Sequence, residues 1–222
     1  MRRFDSPPGA RERARLRELL RRPTPEAARG LIGQVLVRLG AGAPQAVRIV
    51  EVEAYLGTDD PAAHAFAGRT PRTEPLFGKV GALYVYFIYG MHHCLNLAVD
   101  RPGVPGCVLI RGAEPLPGSA LPPEACRGPG RLCRALGIDR TLSGRHLFEA
   151  DPPLTLREGA PAPRVETSPR IGIRRAAERP LRFFDPESPA VSSRGRGGVT
   201  SAVARGRSTR AATRTGARRK IP

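Results

Sequence analysis

No stretch of the chain approaches the roughly 20 consecutive apolar residues that a membrane-spanning helix needs. The opening segment "MRRFDSPPGARERARLRELL" also lacks the apolar centre of a secretion signal. A soluble, unexported protein is the expectation, placed in a bacterial cytoplasm or nucleoid with no membrane partner. Cysteine is scarce: Cys94, Cys107, Cys126 and Cys133 form no C-x-x-C pair. They read as reduced core thiols, not as a disulfide framework or a structural zinc site. No H-x-H or H-E-x-x-H spacing occurs. His92 and His93 are adjacent, so on a strand they would face opposite ways and could not easily share an ion. No metal and no cofactor are expected, and a metal-dependent phosphoesterase is the lesser alternative.

Acidic residues are outnumbered, 20 against 37 basic ones, for a net charge of +17. Only Lys79 and Lys220 are lysines, so a bias toward arginine codons contributes, but such a bias does not fix the surplus over acids. From Arg194 to Pro222 there are nine basic residues and no acid, which leaves +8 for the rest. Both parts therefore suit a polyanionic partner, most simply nucleic acid, whose phosphates release counterions on binding. At 222 residues the chain suffices for one sizeable core. The expected organisation is a flexible N-terminus over 1–10, one folded domain over 11–193 and a basic, disordered tail over 194–222. No internal repeat or interface signal is visible, and a monomer is the default.

Two helices open the folded part, "RERARLRELLRR" and then "TPEAARGLIGQ", with Thr24 as N-cap and Pro25 in the first turn. "QVLVRLG" and "AVRIVEVEAYLG" read as strands. "TDDPAAHAFAGRTPRTEPLFGKVG" holds too many breakers for a long element and reads as a functional loop with at most one short helix. "ALYVYFIYG" and "HHCLNLAV" form a hairpin about Gly90, and "GCVLIRGAEP" is a further strand. "GPGRLCRALGI" is a helix, "LTLRE" and "RIGIRRA" are short strands, and "PLRFF" closes the pattern. Strands adjacent in sequence, with helices at the start and middle, predict an α+β fold: one compact domain with a curved, mostly antiparallel sheet and flanking helices.

Aromatics make up only 5% of the chain, yet all four tyrosines lie between positions 55 and 89. The two-residue strand period puts Glu51, Glu53 and Tyr55 on one face and Val50, Val52 and Ala54 on the other. An isolated E-V-E more often marks a solvated face. Here a loop with His64 and a tyrosine-rich strand follow, and a carboxylate beside aromatic groups can act as a general base for water. Tyr84 and Tyr86 share a face, with Tyr89 at the turn. Strand propensity explains one or two tyrosines, but not their confinement to this region. Flat polar rings beside a basic surface suit stacking on nucleobases, worth roughly 1–3 kcal/mol per base. Asn96 and Arg111 are single polar residues in apolar strands, and a buried arginine needs an anion, which Glu53 or a phosphate could supply.

Together "IVEVEAYLG", "DDPAAHA", "GALYVYFIYGMHHCLN", "VLIRGAEPLPG", "GPGRLCRALGID" and "PRIGI" resemble, in order, the alkyladenine (3-methyladenine) DNA glycosylase family. The resemblance runs from about "RPTPEAARGLIGQVLVR" to "RFFDPESPAVSS". It implies a compact mixed α/β domain with a curved antiparallel sheet. It also implies excision of alkylated or deaminated purines from double-stranded DNA by hydrolysis of the N-glycosidic bond. Position by position, the resemblance implies that Glu53 activates the water and Arg111 helps to hold it. Tyr55, His64 and Tyr86 would sandwich the flipped base, Tyr89 would fill the gap in the duplex, and Asn96 would disfavour guanine at the pocket floor.

Scarcity of lysine bears on the outcome of such a reaction. A glycosylase that also cuts the strand generally attacks the sugar with an amine, and only Lys79, Lys220 and the N-terminus offer one. A monofunctional enzyme that leaves an abasic site is expected. Thr73 and Leu76 stand where the family usually has Asn and Met, a departure expected to bear on loop docking or nearby DNA contacts. The alternative of a noncatalytic nucleic-acid-binding protein shares the charge and the tyrosines but has no need of Glu53 beside Tyr55.

Overall fold

The computed structural model describes Phe4 and residues 6–40 and 43–192; the tail expected from Arg194 onward lies outside them. The helices are α1 (Ala10–Leu20), α2 (Thr24–Leu31) and α3 (Pro129–Ala135). None among the described residues is long and apolar enough to cross a membrane. The strands are β1 (Val35–Arg38), β2 (Gln45–Tyr55), β3 (Leu83–Ile88), β4 (His92–Val99), β5 (Gly106–Pro115), β6 (Leu154–Arg157), β7 (Glu166–Ser168) and β8 (Arg182–Phe184). Every pairing among them is antiparallel, in the order β3-β4-β5-β2-β1-β6, with β8 beside β2 and β7 beside β8. This is the expected α+β architecture, with the sheet curled into a half-barrel.

β2 is the spine. One edge pairs with β5 along its length; the other pairs with β1 up to Arg48 and with β8 from Glu51. At this handover the register against β5 shifts twice, between Ile49 and Glu51 and again between Glu51 and Val52, a bulged stretch. Bulges bend a strand and increase its twist, which is what lets one strand serve two neighbours on the same edge. The bulge also corrects the sequence reading of β2: Ile49, Val52 and Ala54 join the main core, whereas Val50, though buried, does not.

That core lies between one face of the sheet and the three helices, with Leu16 and Leu20 of α1, Leu31 of α2 and Leu132 of α3 packed on strand residues such as Leu95 and Ile110. On the other face the long loop packs on a smaller cluster of Ala65, Leu76, Tyr84 and Cys107. The loop contains three 3-10 turns, Gly57–Asp59, His64–Ala67 and Glu74–Phe77, rather than one short helix. Thr73 and Leu76 both point inward. The Thr73 hydroxyl accepts from the Thr70 amide at 2.9 Å and donates to the Gly68 carbonyl at 3.1 Å, and Leu76 is 2% exposed. All four cysteines are buried and unpaired.

Two further readings are corrected. "RIGIRRA" forms no strand, because Arg170 is drawn to Asp60 and Gly172 takes a positive φ of 76°; the three-residue β7 just before it pairs with β8 instead. Thr24 is the first residue of α2, not its cap, and Pro23 precedes it. The Thr24 amide and hydroxyl both donate to Asp100 Oδ2 at 2.9 Å. In the segment expected to be loose, the Ser6 carbonyl accepts from Arg157 at 2.8 Å and the Pro8 carbonyl from Arg13 at 3.2 Å. Asp100→Ala removes the acceptor at the start of α2 and is expected to cost about 1–2 kcal/mol of unfolding free energy in urea titration. An unchanged midpoint would show the contact to be incidental.

Candidate active site

The strand register assembles the site. Leu109 of β5 lies opposite Asn96 of β4 on one side and opposite Glu53 of β2 on the other, while Tyr84 of β3 lies opposite Asn96. Directly opposed residues share a face, so Tyr84, Asn96, Leu109 and Glu53 form a row across four strands. One step along, Tyr86 opposes Cys94 and Tyr55 opposes Cys107. All of these but Glu53 line a cavity of about 370 Å³, together with His64, Tyr89, His92, Arg111 and the 171–173 segment. Its volume is within the range of small-molecule pockets, about 300–1,000 Å³. Six of the seven residues singled out from the sequence line it, and Glu53, wholly buried, stands behind Tyr55 and Arg111. Sequence reasoning missed Ala62 and the pocket-facing cysteines as site residues, and read the 171–173 segment only as part of a strand and of the family resemblance.

Glu51 and Glu53 are both fully buried but differ in what they hold. Glu51 Oε1 accepts from Arg111 Nε at 3.1 Å, Arg182 Nε at 2.7 Å and the Ser192 hydroxyl at 2.9 Å, and Oε2 accepts from the Ser192 amide at 2.6 Å. Glu51 thus takes four donors, three on Oε1 and one on Oε2, from two arginines and Ser192. Burial alone would raise its pKa, but Arg111, Arg182 and the Ser192 amide more than offset this and hold it below the usual carboxylate range. Glu53 accepts from the Tyr55 hydroxyl at 2.9 Å and the Ile171 amide at 2.7 Å, and Arg111 Nη1 lies 3.2 Å away. All three partners of Glu53, Tyr55, Ile171 and Arg111, line the cavity, whereas of the partners of Glu51 only Arg111 does.

Arg111 therefore has two carboxylates, where the sequence suggested Glu53 or a phosphate. Burial disfavours its charge, yet Glu53 and Glu51 raise its pKa above the ordinary value. Gly112, opposite Glu51, makes room for this packing: a Cβ there would lie 2.7 Å from the Ala190 carbonyl oxygen and 3.2 Å from Glu51. Asn96 is held by its amide nitrogen, which donates to the Tyr84 carbonyl at 3.1 Å. Tyr55 has its phenol pKa driven up by burial and then by the Glu53 charge, so it remains a donor.

At the rim, Tyr89 and Gly90 both have positive φ, 54° and 66°, and the Met91 amide donates back to Ile88. This backbone matches the twist of a two-stranded hairpin, but a bulky residue in the left-handed region is strained. Tyr89 stands at this turn 76% exposed. His92 lines the cavity with Gly130 against its ring, while His93 turns away onto Phe87 at 4.9 Å between centroids. Among the described residues no three of His, Cys, Asp or Glu come together as a metal-ligand set.

His64 meets Tyr86 edge-on at 4.5 Å between centroids, and its Nδ1 is 2.8 Å from the Tyr84 hydroxyl. One edge of the ring is open to solvent. Burial of the inner side and then the Arg72 charge lower its pKa from 6.5 to about 4. Between those values the unfolded chain binds more protons than the folded one. The contribution of neutral His64 is thus intact above pH 6.5 and is lost as pH falls toward about 4. Urea titrations across that window are expected to show a shallower acid slope for His64→Phe than for wild type; parallel slopes would contradict it.

Comparison with known proteins places this geometry in a family. Residues 18–189 match the family model described as methylpurine-DNA glycosylase (MPG). A protein from Methanocella arvoryzae is 43% identical over 196 residues, covering 82% of this chain and 98% of its own length. One from Myxococcus xanthus is 47% identical over 177 residues, covering 77% and 89%. One from Anaeromyxobacter dehalogenans is 49% identical over 168 residues, covering 73% and 78%. Each bears the name of a 3-methyladenine DNA glycosylase. With the match spanning both β2 and the tyrosine-bearing hairpin, the chain belongs to the methylpurine-DNA glycosylase family.

Proposed function

We propose that the protein flips alkylated or deaminated purines out of double-stranded DNA and hydrolyses their N-glycosidic bond, leaving an abasic site. The observation that carries this reading is the division of labour between the carboxylates: Glu51 is tied to Arg182 and Ser192 away from the cavity, while the partners of Glu53, Tyr55, Arg111 and Ile171, all line it. Extrusion of a base costs a few kcal/mol, least for a damaged or mispaired one. Tyr89, exposed on its strained turn, replaces the lost stacking in the duplex. Tyr55, His64 and Tyr86 receive the base, and Asn96 crowds the exocyclic amino group of guanine.

The chemistry then balances simply. Water oxygen bonds to the sugar C1′, the C1′–N bond breaks with its electron pair going to the purine, and Glu53 takes the proton of the water. Arg111 holds Glu53 and the water in place. A cationic alkylpurine departs neutral and stacks well on electron-rich rings; a neutral lesion such as hypoxanthine needs more help, by protonation or a donor to its ring. Lys79, the lysine among the described residues, lines a different surface hollow with Arg17, Arg21 and His146. That supports water as the nucleophile and a monofunctional enzyme. The protein is read as acting without cofactor, as a monomer, in the cytoplasm or nucleoid of a bacterium.

Single-turnover assays on duplexes carrying one hypoxanthine or ethenoadenine test the proposal. Strand cleavage is expected only after alkali. Glu53→Gln should keep DNA binding and lose about 10²–10⁴-fold in excision. Binding with no excision of any lesion by wild type would favour a noncatalytic module, and strand breaks without alkali would contradict the monofunctional reading.

A further inference from the structure

Arg170 and Asp60 form an ion pair with both side chains fully buried, outside the Glu51–Glu53 network. The pair is bidentate: Arg170 Nη1 donates to Asp60 Oδ2, and Nη2 to Oδ1 at 2.9 Å. Asp60 also accepts from the Leu56 amide at 3.2 Å and the Ala62 amide at 3.1 Å. Arg170 Nη1 donates in addition to the Ala54 carbonyl at 2.9 Å. The guanidinium carbon lies 4.6 Å from the centroid of the Tyr55 ring, and the next residue, Ile171, gives its amide to Glu53. Arg170 does not line the cavity and Tyr55 does, so the guanidinium backs the ring that the cavity uses.

One ion pair thus ties together the end of β2, the Leu56–His64 loop and the segment that both binds Glu53 and walls the cavity. Stability alone gives no reason for it. A buried ion pair is often no better than apolar residues of the same volume, and Arg170 Nε is buried without a hydrogen-bond partner among the described residues. What the pair provides is fixed geometry: a planar fork against a carboxylate leaves little freedom for the ring beneath it.

Resting on the glycosylase reading, we infer that Asp60 and Arg170 are positioning residues that set how Tyr55 and Glu53 meet the base, and thereby how far excision extends from cationic to neutral purines. A cationic purine is a good leaving group and tolerates slack in the site. A neutral one depends on the ring and the attacking water being held together, where misplacement of about 1 Å can cost on the order of 100-fold.

Arg170→Lys keeps the positive charge and loses the fork. The test compares wild type and this variant in single-turnover excision of hypoxanthine from a duplex and in release of 3-methyladenine from alkylated DNA. Hypoxanthine excision is expected to fall about 30- to 100-fold, and 3-methyladenine release by no more than about threefold. A proportional loss on both substrates, as general loosening of the fold would give, overturns the proposal, and so does no loss on either. Wild type active on 3-methyladenine but inactive on hypoxanthine overturns it too, since there would be no range to set. Wild type inactive on every lesion overturns the glycosylase reading itself. Should Arg170→Lys not fold, Asp60→Asn, which removes the opposing charge with little change of shape, reads the same ratio against the same criteria.

Discussion

Two carboxylates and two guanidiniums, Glu51, Glu53, Arg111 and Arg182, meet in the interior where β5, β2 and β8 lie side by side. Such charges are tolerated only because they cancel and because their hydrogen-bonding sites are nearly filled, since breaking a buried pair costs about 3–5 kcal/mol. Their placement depends on the bulge of β2. It hands one edge of the strand from β1 to β8, brings Arg182 opposite Glu53, and lets Gly112 stand opposite Glu51. The Ser192 amide and hydroxyl, from beyond the last strand, complete the set. The network is both the lock that closes the C-terminal segment onto the sheet and the support of a buried carboxylate, Glu53, whose partners line the cavity.

Around this centre the fold separates two tasks by face. The apolar core and the helices occupy one side of the sheet, so the opposite side is free to carry polar aromatics under a long loop. Thr73 bonds within the loop and Leu76 packs onto Tyr84 and Cys107 of the sheet, while the rings of Tyr55, His64 and Tyr86 line the cavity. At the rim Tyr89 is exposed on a backbone that turns through the left-handed region. In the proposed reaction the inner rings hold the extruded base and the outer one holds the gap it leaves.

Much of this was legible in the sequence, for identifiable reasons. Period-two alternation places Glu51, Glu53 and Tyr55 together and Tyr84 with Tyr86, and the hairpin about Gly90 follows from its turn residues. The bulge is not legible, because "RIVEVE" alternates without interruption, so alternation alone groups Val50 with Val52. "RIGIRRA" looks like a strand by composition, but the pull of Asp60 on Arg170 and the positive φ of Gly172 break it. Most tellingly, the sequence could not separate the two carboxylates. Glu51 differs from Glu53 through Arg182 and Ser192, more than 100 residues away. The roles assigned to His64, Asn96 and Tyr89 came from the family resemblance, and the structure contributes their positions.

The separation of Glu51 from Glu53 is the claim on which the account turns, and Glu51→Gln tests it most directly. The measurement is excision of a lesion base per folded molecule, with unfolding free energy determined in parallel. A carboxylate devoted to holding Arg111, Arg182 and Ser192 should show its loss as instability, about 3–5 kcal/mol, with excision by the folded fraction kept to within about tenfold of wild type. A variant as stable as wild type but unable to excise would contradict the account and make Glu51 the catalytic base.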